Sequence, residues 1–203
     1  MSNIVKDYVC FDLETTGFGK TAEIIDIGAV KVRNGIVIDK FSELVKPINR
    51  ISGVVTALTG ISQKDVENAR RISDVLPDFL EFIENDILLG HNIASFDIPI
   101  VRRNVAVEMK AAFEPEYIDT MYLSKAVSGV PDHKLQTMLD HYGITNARAH
   151  RAFEDCEATS KLFHALVSDG ITPCVRRSYS YTNIEAAQPV PVKEDIAVTM
   201  GTE

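Results

Sequence analysis

Two β-rich runs joined by Asn34-Gly35 constrain this chain more than any other feature. Residues 23–33 and 36–45 have the Val, Ile and Phe content of strands, and Asn-Gly between two such runs is the strongest short hairpin signal, because both residues tolerate the positive φ of a two-residue turn. Residues 8–13 precede them as a short buried strand, so the chain opens as a three-stranded antiparallel meander. After Pro47, residues 52–64 read as a polar connection with Thr59-Gly60 as a turn. Ser73 then starts a helix whose apolar stripe is Val75, Leu76, Phe79, Phe82 and Ile83.

Residues 87–89 form a short apolar run ending at Gly90, and a helical pattern follows over 95–103, as in a strand–helix crossover. Further helices are expected at 120–127, 135–141 and 152–167, the last stopped by Gly170. From Pro173 the composition changes to prolines, Arg176-Arg177 and a Tyr-Ser-Tyr stretch without helical period. A length of 203 residues thus divides into one α/β domain (1–172) and a C-terminal tail (173–203), extended or partner-binding.

Twenty-one Lys and Arg against 29 Asp and Glu give a net charge of −8, which argues against a broad cationic face that coats duplex nucleic acid. It does not exclude a nucleic-acid enzyme, since carboxylates that hold divalent cations invert the field an anionic substrate meets. Cys10, Cys156 and Cys174 are odd in number with no C-x-x-C spacing, which suggests neither a disulfide framework nor structural zinc. With no basic-then-apolar leader and no run of about 18 apolar residues, the expectation is a cytoplasmic protein that engages no membrane.

Three segments carry chemistry. Asp12 and Glu14 end the first strand and, by the two-residue period, point to one face, where they can share a hard cation. Alone this is weak, because a D-x-E triplet arises by chance roughly once in a chain of this size. Its setting strengthens it: the acids follow apolar Tyr8-Val9-Cys10-Phe11 and precede Thr15-Thr16-Gly17, at the carboxyl end of a buried strand. In the second segment, Gly90-His91-Asn92-Ile93-Ala94-Ser95-Phe96-Asp97, the acid falls in a helix's first turn, where it would also complement the dipole. The third, His150-Arg151-Ala152-Phe153-Glu154-Asp155, puts a His at a loop–helix junction, with an ordinary pKa suited to a general base, and Asp155 on one helix face with Ala152 and Thr159. Each also has a bland reading as a surface or capping group.

Together these segments resemble the DEDDh family of 3′–5′ exonucleases, which includes proofreading subunits and domains of bacterial replicative DNA polymerases. The matching residues are Asp12-Leu13-Glu14-Thr15-Thr16-Gly17-Phe18, Gly90-His91-Asn92 with Phe96-Asp97, and His150 with Ala152 and Asp155; Ile25-Asp26-Ile27-Gly28 looks like the family's second strand. The resemblance covers roughly residues 8–167.

It implies a ribonuclease-H-like α/β fold with a mixed five-stranded sheet, the first three strands an antiparallel meander, flanked by helices. It implies catalytic Asp12, Glu14, Asp97, His150 and Asp155, the four acids holding two divalent cations, Mg²⁺ or Mn²⁺, and His150 taking a proton from the attacking water. It further implies a terminal nucleotide held by Leu13, Thr15, Thr16, Gly17, Asn92 and Phe96, though Phe96 has a strong alternative as core. Thr59 stands where many proofreading members have a His, so it is left out of that set. The implied partners are a single-stranded or frayed DNA 3′ end and a DNA polymerase subunit. An exoribonuclease trimming RNA ends is the alternative; a non-catalytic nucleic-acid-binding or scaffolding module would be expected to have lost an acid.

Overall fold

In the computed structural model, which describes residues 5–146, 151–179 and 189, Asn34 and Gly35 take φ of 52° and 78° and close a hairpin between β2 (Ile24–Arg33) and β3 (Ile36–Leu44). The strand β1 (Tyr8–Thr15) pairs antiparallel with β2, setting Asp12 opposite Gly28 and Glu14 opposite Asp26. The meander is therefore as expected. Parallel pairing then adds β4 (Leu88–Gly90) beside β1 and β5 (Glu116–Asp119) beside β4, giving the order β3-β2-β1-β4-β5-β6. This is the mixed α/β architecture implied by the ribonuclease-H-like resemblance.

Among the described residues the sheet has six strands, not five. The sixth, β6 (Arg176–Arg177), comes from the segment read as tail and pairs antiparallel with Glu116 and Tyr117; Ser178 N–H bonds the Pro115 carbonyl. Two residues are too few to leave a period-2 pattern, and the register comes from the open edge of β5 instead. The connection read as polar likewise contains a helix, α1 (Gly53–Thr59), capped by Ser52 Oγ accepting from Val55 N–H and ended by Gly60 at φ 73°. Seven residues that bury only Val55 and Thr59 give no readable stripe.

Both faces of the sheet are covered. Val9, Phe11 and Leu13 pack beneath α2 (Ile72–Ile83) and α3 (Asp97–Asn104), which runs on into a π-helical turn over Val105–Met109. On the other face Tyr8, Cys10, Val30 and Val32 pack beneath α5 (Leu135–His141) and α6 (Ala152–Ser168). A short helix, α4 (Thr120–Ser124), follows β5. Among the described residues no helix is long and apolar enough to cross a membrane.

Candidate active site

Strand alternation settles where the first acids point. Phe11 and Leu13 enter the core under α2 and α3, so Asp12 and Glu14 face α6. There Asp12, Glu14 and Asp155 each offer a carboxylate oxygen, and the three oxygens lie within 4.8 Å of one another. Asp155, on the first turn of α6, also has its Oδ1 bonded by Asn146 Nδ2.

The strand β2 holds α6 at this distance. A Cβ on Gly28 would lie 2.2 Å from the Phe153 nitrogen and 2.3 Å from the Ala152 carbonyl carbon, so only glycine lets the helix rest on the strand. Cys156 Sγ donates to the Gly28 carbonyl at 3.1 Å. Asp26, buried at 2% exposure, accepts from Arg151 Nε at 3.3 Å and from the Ala152 N–H, fixing the helix's first residue.

Asp97 does more than complement a dipole. It is buried, and its Oδ1 accepts the Leu13 N–H at 3.1 Å, tying α3 to β1 one residue from Asp12. It is not among the three acids whose oxygens cluster, but its charge acts on Asp12. The turn before it is held by Asp119, which accepts from Asn92 N–H (3.0 Å) and Ala94 N–H (3.3 Å) and caps α4 through Met121 N–H. Asp119 is absent from the sequence reading, although an Asp before a helical pattern at Thr120 is an N-cap signal. His91, which has no evident task in the sequence, bridges Thr120 Oγ1 and the His133 carbonyl.

Burial and like charge dominate the electrostatics. Desolvation first, then Asp97, Asp155 and Glu14, push the Asp12 carboxyl well above the carboxylate range. Desolvation with Asp155 and Asp26 raises Glu14 to about 8, against the pull of Arg151. Asp97 also rises to about 8, chiefly through burial. Such a group of acids is unstable without a positive occupant. Octahedral Mg²⁺ takes oxygens at about 2.1 Å, so ligands on opposite sides stand roughly 4.2 Å apart; three oxygens within 4.8 Å need only small rotations to close on one ion. The all-oxygen donor set suits a hard divalent cation.

The residues assigned to the terminal nucleotide are distributed unevenly. Leu13 is 4% exposed and belongs to the core. Thr15 Oγ1 donates to the Gly17 carbonyl and Thr16 Oγ1 accepts from Glu23 N–H, so both hydroxyls shape the 16–22 loop. Asn92 takes a left-handed φ of 65° in the turn that carries Asp97. Phe96 packs partly on the core and partly against Phe18. Thr59 is spent locally, donating to the Val55 carbonyl and accepting from Ile61 N–H. His150 lies outside the described residues.

A mixed sheet on which carboxylates from β1 and α6 converge offers a donor set that fits a divalent cation. The chain belongs to the RNase_T exonuclease family, whose model matches residues 9–163. It is 39% identical over 157 residues to the PolC-type DNA polymerase III of Thermotoga petrophila and 38% identical over 168 residues to that of Bacillus subtilis, covering 77% and 80% of this chain. It spans 11% of the length of each of those relatives. Among solved structures, Exonuclease X in complex with 5′ overhanging duplex DNA superposes with a TM-score of 0.66 at 24% identity, covering 80% of this chain and 92% of that one. The nuclease domain of 3′hExo, a DEDDh family member bound to rAMP, gives a TM-score of 0.72 at 20% identity, covering 88% and 100%.

Proposed function

We propose that this chain removes nucleotides from DNA 3′ ends by divalent-metal-dependent hydrolysis, in proofreading or repair alongside a DNA polymerase. The observation that carries the reading is the convergence of Asp12, Glu14 and Asp155 from β1 and α6 onto one point, with Asp97 beside them. Two ions, Mg²⁺ or Mn²⁺, would there lower the pKa of the attacking water and stabilise the departing 3′ oxygen. Asp12, Glu14 and Asp155 would hold the first ion, and Asp12 with Asp97 would support the second. His150, next to the anchored Arg151, takes the proton from the water. Leu13, Thr15, Thr16, Gly17, Asn92 and Phe96 line the terminal-nucleotide pocket, with Leu13 and Phe96 also packing as core.

The exonuclease domain comprises the residues to 172 together with β6, and the remainder serves as an extended or partner-binding tail. Similarity to a PolC-type polymerase region supports the DNA assignment over RNA. The test is hydrolysis of 5′-labelled single-stranded DNA, mismatched-primer DNA and single-stranded RNA in Mg²⁺, in Mn²⁺ and in EDTA. Stepwise 3′ shortening of the DNAs, absent in EDTA, is expected. Cleavage of RNA alone would replace DNA with RNA in the proposal, and no metal-dependent cleavage of any substrate would overturn it.

A further inference from the structure

Asp119 ends β5 beside Gly90, the last residue of β4, and its carboxylate accepts four backbone N–H groups. Oδ1 takes Asn92 N–H and Met121 N–H at 3.0 Å and Tyr122 N–H at 3.4 Å, while Oδ2 takes Ala94 N–H at 3.3 Å. The bonds to Met121 and Tyr122 cap α4. Those to Asn92 and Ala94 belong to a different segment, the turn that leads into α3 and Asp97. Among the described residues Asp119 forms no ion pair, so its charge is directed at these donors and strengthens each bond.

The turn needs that hold. Asn92 sits at φ 65°, a left-handed conformation that a residue with a side chain keeps only where its surroundings enforce it. Its carbonyl accepts the Ser95 and Phe96 N–H groups, and the Ile93 carbonyl accepts Ile98 N–H. Ile93 is fully buried and lies so close to Gly90 that a Cβ there would stand 2.8 Å from its side chain. Asp97 is thus fixed to Asn92 by a short, tightly bonded path, and its Oδ1 meets Leu13 N–H beside Asp12. The seat of Asp119 is equally rigid, because Thr120 is fully buried, donates to the Gly90 carbonyl and is bonded to His91 Nδ1.

We infer that Asp119 is a positioning residue for the metal site: by holding Asn92 and Ala94 from the end of β5 it sets where Asp97 stands relative to Asp12, and through Asp97 the affinity for the second cation. The inference rests on the proposed two-ion reading for the assignment of Asp97 to that ion. It is selective. The ligands of the first ion, Asp12, Glu14 and Asp155, come from β1 and α6, and the hydrogen bonds of Asp119 reach neither element.

The test compares the full chain as wild type, Asp119→Asn and Asp119→Ala. Asn keeps one oxygen for Asn92 and α4 but turns an NH₂ group toward the Ala94 N–H, so it loosens the turn and retains the cap; Ala removes both. In the metal-free protein, hydrogen exchange at the Leu13 amide, which is bonded to Asp97, should quicken about tenfold in Asp119→Asn relative to the Phe11 amide of the same strand. In Mn²⁺ titrations followed by electron paramagnetic resonance, the first equivalent should bind within about twofold of wild type and the second about tenfold more weakly, as when a group that orients a metal ligand is lost. Unchanged exchange at Leu13, equal quickening at Leu13 and Phe11, equal loss of both Mn²⁺ equivalents, or a second equivalent held as in wild type would each overturn the inference. Faster exchange at Leu13 alone, in a protein whose wild type takes up no second Mn²⁺, would keep the hold of Asp119 on Asp97 and remove the two-ion reading instead.

Discussion

Replacing Glu14 with Gln should stabilise the metal-free protein at pH 8 and leave it unchanged at pH 5. In the unfolded chain Glu14 ionises near 4.5; in the fold, burial and the neighbouring acids hold its proton to about 8. Between these values the unfolded state has released a proton that the folded state keeps, so stability falls as pH rises from 4.5 to 8 and levels off above. At about 1.4 kcal/mol per pH unit the span corresponds to roughly 4–5 kcal/mol. Gln still buries a polar amide and leaves Asp12 and Asp155 in place, so it should recover about 2 kcal/mol of this. In a domain of this size that is a rise in Tm of about 4–8 °C.

Saturating Mg²⁺ should reverse the order. An occupant at a hundred times its Kd adds about 2.7 kcal/mol to the state that binds it, and the variant lacks one of the ligands. Melts of both proteins in EDTA and in Mg²⁺ at pH 5 and pH 8 test the reasoning. A variant less stable than wild type at pH 8 in EDTA, or a difference independent of pH, would refute it.

Asp12→Ala and Asp155→Ala should each abolish nuclease turnover while leaving the circular dichroism spectrum unchanged; full activity in either would remove these acids from the chemistry. Gly28→Ala should lift α6 from β2 and cost about 3 kcal/mol, read as a lower melting temperature together with weaker Mn²⁺ binding, since the clash is with helix backbone that bears Asp155. A chain ending at residue 179 should keep the melting temperature and the activity on short oligonucleotides, whereas one ending at 172 should melt lower, because it strips β6 from β5 and Ser178 from Arg102; identical melts for the two would place β6 outside the folded unit.

What was legible in the sequence depended on local chemistry. The Asn34-Gly35 turn, the stripe of α2 and the long pattern of α6 appear in the chain itself, and the structure has them within a few residues of expectation. Asp12, Glu14, Asp97 and Asp155 stand out because acids beside buried apolar strands and at helix starts are conspicuous. The supporting residues are less so. Nothing local to Gly28 says that a helix 124 residues later will rest on it, and nothing near Asp119 says that it will hold the Asn92 turn. Those roles exist only after the parallel crossover has brought β4, β5 and α6 together. The strand β6 is opaque for the same reason, being two residues whose strand character comes wholly from the edge they join.

The net charge of −8 and an anionic substrate are reconciled by where the charge sits. Burial and the neighbouring acids push Asp12, Glu14 and Asp97 above the ordinary carboxylate range, so the negative charge of this cluster is costly where it stands. A divalent cation held by these acids would offset that charge and invert the local field. Arg102 and Arg103, on α3, are bonded to carbonyls and a hydroxyl, and neither forms an ion pair among the described residues. The acids that make the total negative are spread over the remaining surface, where solvent and salt screen them beyond about 8–10 Å. On the proposed reading, a strand end reaching cation-loaded acids would meet a local field opposite in sign to the one the whole composition suggests.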